Sequence, residues 1–177
     1  MSDQRREDLM DFPAYVALGS NVGDRETMVL RAARALEREG VAQLLALSSL
    51  YETEPIACEP MDDFVNMVVQ VRPLLWPEDL LKRIQVLEKQ LGRCGGHNEP
   101  RTVDVDIVAM GNRVLDTPHL RIPHPRYATR AFVLVPLQEI APGFTCPVTG
   151  RAVSEMIGAL PERQRVTRIS GRSVVYQ

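Results

Sequence analysis

Lysine is almost missing from this chain. Of 21 basic residues only Lys82 and Lys89 are lysines, leaving 19 arginines, the side chain that grips phosphate through two parallel hydrogen bonds. Cysteine is scarce too. Cys58, Cys94 and Cys146 are odd in number and far apart, which argues against a disulfide framework or a zinc site of the usual spacing and predicts a reducing, cytoplasmic setting. Aromatic residues make up only 5%, and the strands lack the aromatic and basic interleaving that stacks RNA bases. There is no excess of positive charge, the formal net charge being −2, so no general attraction to nucleic acid is expected. No apolar run approaches membrane-spanning length, and the opening MSDQRREDLMDF has no apolar signal region; neither a membrane anchor nor a secretory leader is expected.

What is present is an ordinary globular composition, 45% hydrophobic over 177 residues. That is enough for one domain with a real core, expected over residues 13–177 behind a solvated tail at 1–12. The apolar run Tyr15-Val16-Ala17-Leu18 reads as a strand that stops at Gly19-Ser20-Asn21. A helix follows from about Asp24 to Glu39, with Val29, Ala32, Ala33 and Leu36 on one face and Gly40 as its stop. Residues 41–52 read as a second strand, 53–63 as a proline-bearing loop, and 64–72 as a third strand that puts Phe64 and Asn66 on the same side. Pro77 suits a first helical position, and Leu80, Ile84, Leu87 and Leu91 keep helical spacing up to Gly92.

The run PRTVDVDIV, residues 100–108, closes the series. Period two places Thr102, Asp104 and Asp106 on one face and Val103, Val105 and Ile107 on the other, toward a core. The order β-α-β-β-α-β predicts an α+β, ferredoxin-like fold, an antiparallel sheet with two helices on one face and an open face for ligands. Two further helices, near 133–140 and 153–160, form a C-terminal extension. Asp104 and Asp106 side by side make a hard-oxygen pair suited to Mg²⁺ that still needs phosphate oxygens to complete an octahedron. They could equally be the wet side of an amphipathic strand.

LGSNVGD, SSLYETEPI, DFVN, EKQLGR, PRTVDVDIV and IPHPRYATRAFVLVPLQEIAP occur in that order between residues 18 and 142. Together they resemble the 6-hydroxymethyl-7,8-dihydropterin pyrophosphokinases of folate biosynthesis. The resemblance implies transfer of pyrophosphate from ATP to the hydroxymethyl oxygen of the reduced pterin, with AMP leaving. It places two Mg²⁺ ions on Asp104 and Asp106, and Arg93 and Arg101 over the phosphates. His124, Arg130, Glu88 and Ile107 would meet the nucleotide. Phe64 and Phe132 would stack on the pterin, Asn66 would bond its pyrimidinone edge, and the backbone at Thr53, Glu54 and Ile56 would add hydrogen bonds. ATP and the pterin are the partners so implied, to a monomer or weak homodimer.

Plain structural roles stay open for several of these residues. Arg93 could neutralise a helix C-terminus, His124 could be a turn residue, and Phe132 could be core. The chain also departs from the family between Gly92 and Pro100, where the closing loop is about two residues shorter than usual, holds Gly95, Gly96 and Glu99, and lacks the further arginines and the Arg-Trp pair. A catalytically weak or inactive pterin- or nucleotide-binding relative is therefore the alternative expectation.

Overall fold

The computed structural model describes residues 12–55, 62–93, 101–161, 165–170 and 174–175. Strand β1 (Ala14–Ser20) runs through the middle of a mixed-length antiparallel sheet, with β4 (Phe64–Pro73) on one side and β5 (Asp104–Met110) on the other. β2 (Ala42–Leu47) lies outside β4, giving the order β5-β1-β4-β2. This is the expected ferredoxin-like topology. Helices α1 (Arg25–Arg38) and α2 (Pro77–Gln90) cover one face. Val29, Ala32 and Leu36 of α1 and Leu80, Ile84 and Leu87 of α2 meet Val16, Leu18, Met67, Val105 and Ile107 of the sheet there, all nearly free of solvent. Burial of such side chains contributes roughly 1.5–3 kcal/mol each.

Asp24 caps α1, its side chain accepting from the Thr27 amide, and Pro77 opens α2 as its first-turn residue. Both are local signals that the sequence carries plainly.

Three features differ from the sequence expectation. The single strand expected over 41–52 is broken at Ser48-Ser49 into β2 and β3 (Leu50–Thr53). Leu47 pairs with Val69 but Tyr51 with Asn66, so four steps on one strand oppose three on the other, and one extra residue is accommodated as a bulge. Ser48 makes this possible: its amide donates to the Val68 carbonyl while its hydroxyl accepts from the Val68 amide, both at 3.0 Å. The hydroxyl stands in for a missing backbone carbonyl.

The second difference concerns the face expected to be open. Helix α3 (Ala131–Ile140) packs Val133, Leu134 and Leu137 over Tyr15, Ala17, Val68 and Ala109 in a second buried cluster, so part of that face is core. Glu139 of α3 pins the bulge, accepting from the Ser49 amide at 2.8 Å, the Ser49 hydroxyl at 2.7 Å and the Tyr51 hydroxyl at 2.9 Å. Burial, and then the Glu139 carboxylate, push the Tyr51 phenol up to about 12. Third, the C-terminal extension is not only helical. After α4 (Val153–Gly158), β8 (Val166–Ser170) pairs with β3 and β9 (Val174–Val175) with β2. A small hairpin, β6 (Leu115–Asp116) with β7 (Arg121–Ile122), precedes a 3₁₀ turn at Tyr127–Thr129. Among the described residues no helix is long and apolar enough to cross a membrane.

Candidate active site

Gly19 is the centre of the site because of its two neighbours. On β1 it pairs with Asn66 of β4 to one side and with Asp104 of β5 to the other. Register partners share a face, so the amide and the carboxylate project on the same side, two strand spacings or about 10 Å apart. Ala17 is placed likewise between Val68 and Asp106. The alternation expected in 103–107 holds, with Val103, Val105 and Ile107 buried in the main core and Asp104 and Asp106 partly exposed on the opposite face. The Ile107 side chain therefore points away from the carboxylates; only its backbone is available to a nucleotide.

Around Asp104 the charges are interlocked. Its Oδ2 lies 2.7 Å from Arg101 Nη1 and its Oδ1 3.1 Å from Arg93 Nη1. Arg93 also pairs with Glu88. Glu88 is buried at the end of α2, and its Oε1 accepts from the Val105 amide at 2.8 Å, satisfying an N–H on the edge of β5 that no strand among the described residues reaches. Burial raises its pKa above the ordinary carboxylate range, partly offset by that amide and by Arg93. Glu88 therefore supports Arg93 and β5 from below. Arg101 is held by the LGSN turn, its amide donating to Asn21 Oδ1 at 2.8 Å and its carbonyl accepting from the Asn21 amide at 3.3 Å.

Asp106 sits among different partners. Arg130 Nη1 is 3.7 Å from its Oδ2, and His124 is close enough for the two to influence each other's titration. Desolvation, then the like charge of Asp104, raise the Asp106 pKa. Desolvation lowers that of His124 despite the Asp106 charge. The His124 amide donates to the Val108 carbonyl at 2.8 Å, fixing it on the edge of β5. Its Nδ1 accepts from the Arg126 amide at 3.1 Å, which leaves Nε2 as the N–H of a neutral ring.

At the other end, Asn66 and Thr53 are both buried, and the Asn66 Nδ2 donates to Thr53 Oγ1 at 2.7 Å. Thr53 pairs with Phe64, whose ring is half-buried. Gly19 fits under them: a Cβ there would stand 2.6 Å from Asn66 Oδ1 and 3.8 Å from the Phe64 ring. Phe132, at the start of α3, packs half-buried against the second cluster, with the Arg130 guanidinium 5.4 Å from its ring centroid. It packs in that cluster and stays partly exposed. Ile56 and the loop from Cys94 to Glu99 lie outside the described residues.

The arrangement thus joins Glu88, Arg93, Arg101 and Asp104 in one network, Asp106, His124 and Arg130 in a second, and Thr53, Phe64 and Asn66 in a third, all around β1. Sequence reasoning passed over Gly19 and Asn21 as individual residues. Their signal was the LGSN run itself, a glycine and a cap-forming amide directly after an apolar strand.

Residues 15–142 match the family described as 7,8-dihydro-6-hydroxymethylpterin-pyrophosphokinase. The chain belongs to that family. It is 42% identical over 128 residues to the 2-amino-4-hydroxy-6-hydroxymethyldihydropteridine pyrophosphokinase of Bacillus subtilis, covering 72% of this chain and 77% of that one. It is 39% identical over 148 residues to the enzyme of the same name from Pseudomonas aeruginosa, covering 83% and 91%. Its fold is similar to that of wild-type Plasmodium falciparum HPPK-DHPS, with a TM-score of 0.65 at 15% identity over 83% of this chain and 44% of that longer one.

Proposed function

We propose that this protein transfers the pyrophosphoryl group of ATP to the hydroxymethyl oxygen of 6-hydroxymethyl-7,8-dihydropterin, with AMP as leaving group. The observation that carries this reading is the register of β1: Gly19 sets a neutral hydrogen-bonding pocket and a doubly acidic strand about 10 Å apart on one face. A flat, uncharged heterocycle fits the first, and a polyphosphate with its counter-cations fits the second. The relatives' names carry the same pterin and the transfer of pyrophosphate to it.

Asn66 and Thr53 present amide and hydroxyl groups to the pterin edge, Glu54 and Ile56 contribute their backbone, and Phe64 and Phe132 offer ring faces or edges. Arg93 and Arg101 reach the triphosphate from one side of β5, while His124, through Nε2–H, and Arg130 reach it from the other. Transfer of this kind depends chiefly on positioning and charge stabilisation, so no strong base is required of the chain.

Asp104 and Asp106 suit Mg²⁺, two ions in this reading. They are hard oxygen donors on one face, and the described residues contain no third His, Cys, Asp or Glu to close a protein cage, so ATP oxygens and water would complete the shell. When bound, Mg²⁺ supplies neutralisation of the phosphate charge. A divalent ion would also offset the repulsion from Asp104 that, after desolvation, raises the Asp106 pKa. The reading extends to a monomer or weak homodimer in a reducing, cytoplasmic setting, without nucleic-acid or membrane partners.

The test is AMP release from MgATP with and without 6-hydroxymethyl-7,8-dihydropterin. Pterin-dependent AMP and a diphosphorylated pterin in equal amounts are expected. Pterin binding without AMP release would replace this reading with that of a binding relative.

A further inference from the structure

The family match ends at residue 142, yet the chain beyond it returns to the pterin end of the sheet. β8 runs antiparallel to β3, with Val166 opposite Thr53. Just ahead of β8, Arg165 places Nε 3.1 Å from Glu54 Oε1 and donates from Nη2 to Asp63 Oδ2 at 2.9 Å. Glu54 directly follows Thr53, and Asp63 directly precedes Phe64. Arg165 therefore ties together the two chain segments that lead into the proposed pterin contacts.

A second guanidinium completes the bracket from the helix-covered side. Arg25, at the start of α1, donates from Nη1 to the Asp63 carbonyl at 2.6 Å and from Nη2 to Glu52 Oε1 at 2.9 Å. Asp63 is thus held at its carbonyl by α1 and at its carboxylate by the C-terminal segment. Of these residues Arg25, Glu52 and Asp63 line an open cavity of about 530 Å³ together with Asn21, Gly23 and Asp62.

We propose that Arg165, supplied by the segment outside the family region, is a positioning residue for pterin recognition. Its partners are exposed to roughly the degree at which an ion pair adds little to global stability. What two such pairs accomplish is local: they hold Glu54 and Asp63, the residues just beyond the last β3–β4 pair, Thr53 with Phe64, before the pterin arrives, so that less ordering is left to the binding step. Because the reacting phosphates lie across β1, on its β5 side, the effect falls on the pterin and not on ATP.

The inference rests on the function proposed above, and calorimetry separates the two. Binding of 6-hydroxymethyl-7,8-dihydropterin, in the presence of a saturating non-hydrolysable MgATP analogue, is measured for the full chain, for Arg165→Gln, for Glu54→Gln and for the double variant. Arg165→Gln is expected to raise the pterin Kd and KM by about three- to tenfold, two exposed pairs each accounting for no more than about fivefold. The analogue Kd, kcat and the thermal midpoint stay at wild-type values. Glu54→Gln gives a smaller rise that vanishes in the Arg165→Gln background. A wild-type pterin Kd in Arg165→Gln, an equal loss of nucleotide and pterin affinity, or effects of the two substitutions that multiply would each overturn the proposal. A wild-type chain that binds no pterin would instead sink the functional reading, and this inference with it.

Discussion

The two ends of the site are built on opposite plans. At the phosphate end almost every group is charged and already engaged: Asp104 holds Arg93 and Arg101, and Arg130 lies beside Asp106. At the pterin end the central groups are neutral, and Asn66 is locked to Thr53 by one buried hydrogen bond. The difference follows from the ligands proposed for each. A polyphosphate must be met by cations, and unpaired cations crowded together are costly; carboxylates keep them in place until phosphate and metal arrive to exchange partners. A flat neutral ring demands fixed donors and acceptors instead, because a buried polar group left unmatched costs about 1–3 kcal/mol. The phosphate end is thus expected to rearrange on binding and the pterin end to remain as it is.

The largest effect is expected where the comparison is sharpest. Asp104→Asn and Asp106→Asn keep the side-chain shape and leave the core face of β5 untouched, but remove the charge that holds Mg²⁺ and orders the arginines. Turnover should fall by roughly 10²–10³-fold, the scale of losing a main electrostatic contact, with pterin affinity unaltered. Near-normal AMP release in both variants would show that the two ends do not divide the labour in this way.

Asn66→Leu strikes the other end. It removes the amide from a buried site and strands the Thr53 hydroxyl, so the pterin Kd should rise by about 5- to 150-fold, equivalent to 1–3 kcal/mol, while nucleotide binding is preserved. Gly19→Ala is subtler. The added Cβ would meet Asn66 Oδ1 at 2.6 Å, and its three nearest atoms all belong to Asn66 and Phe64, so Asn66 must swing and loosen its bond to Thr53. About a tenfold loss of pterin affinity is expected, one hydrogen bond's worth. Equal losses for ATP and pterin in a titration of this variant would contradict the proposed partition across β1.

Glu88 tests the phosphate end without touching chemistry. Glu88→Ala leaves the Val105 amide without its acceptor at the sheet edge and Arg93 with Asp104 as its remaining carboxylate, and should lower the unfolding free energy by about 1–3 kcal/mol. Glu88→Gln, which retains an oxygen for the Val105 amide, should cost less. Denaturation midpoints at matched slopes decide between them, and equal midpoints for Ala and wild type would remove Glu88 from the support of β5.

The phosphate end was also the more legible in the sequence. Period-two alternation in PRTVDVDIV sets both carboxylates on one face whatever the rest of the chain does, and the structure keeps that face. Helices α1 and α2 were equally plain, because Asp24 and Gly40 around one, and Pro77 and Gly92 around the other, act within a few residues. The pterin end was less readable. The break at Ser48-Ser49, which turns Tyr51 and Thr53 to the Asn66 side, depends on a serine hydroxyl replacing a carbonyl of the distant β4 ladder and on Glu139 from α3, neither of which leaves a local pattern. β8 was hidden for the same reason: its polar residues have strand character only because β3 offers an edge to pair with. Ile107 and Glu88 lie in the quoted runs and their side chains are buried, a placement that the runs by themselves do not disclose.

Phe64→Ala is the smallest and most discriminating change. The ring is half-buried at the start of β4, opposite Thr53 and 3.8 Å from where a Gly19 side chain would begin, so its truncation removes one wall of the proposed pterin pocket but no hydrogen-bonding group. A stacked aromatic contact contributes about 0.5–1.5 kcal/mol beyond burial, equivalent to a loss of roughly 2- to 12-fold in pterin affinity. Phe132→Ala should behave differently, because that ring also packs in the second cluster and carries the Arg130 guanidinium over it; its loss should lower stability and weaken nucleotide binding along with the pterin. Measuring both Kd values and the thermal midpoint for each variant separates a ring that only stacks from a ring that ties the two ends together. If Phe64→Ala proved as damaging to ATP binding as Phe132→Ala, the neutral end of the site could no longer be treated as independent of the charged one.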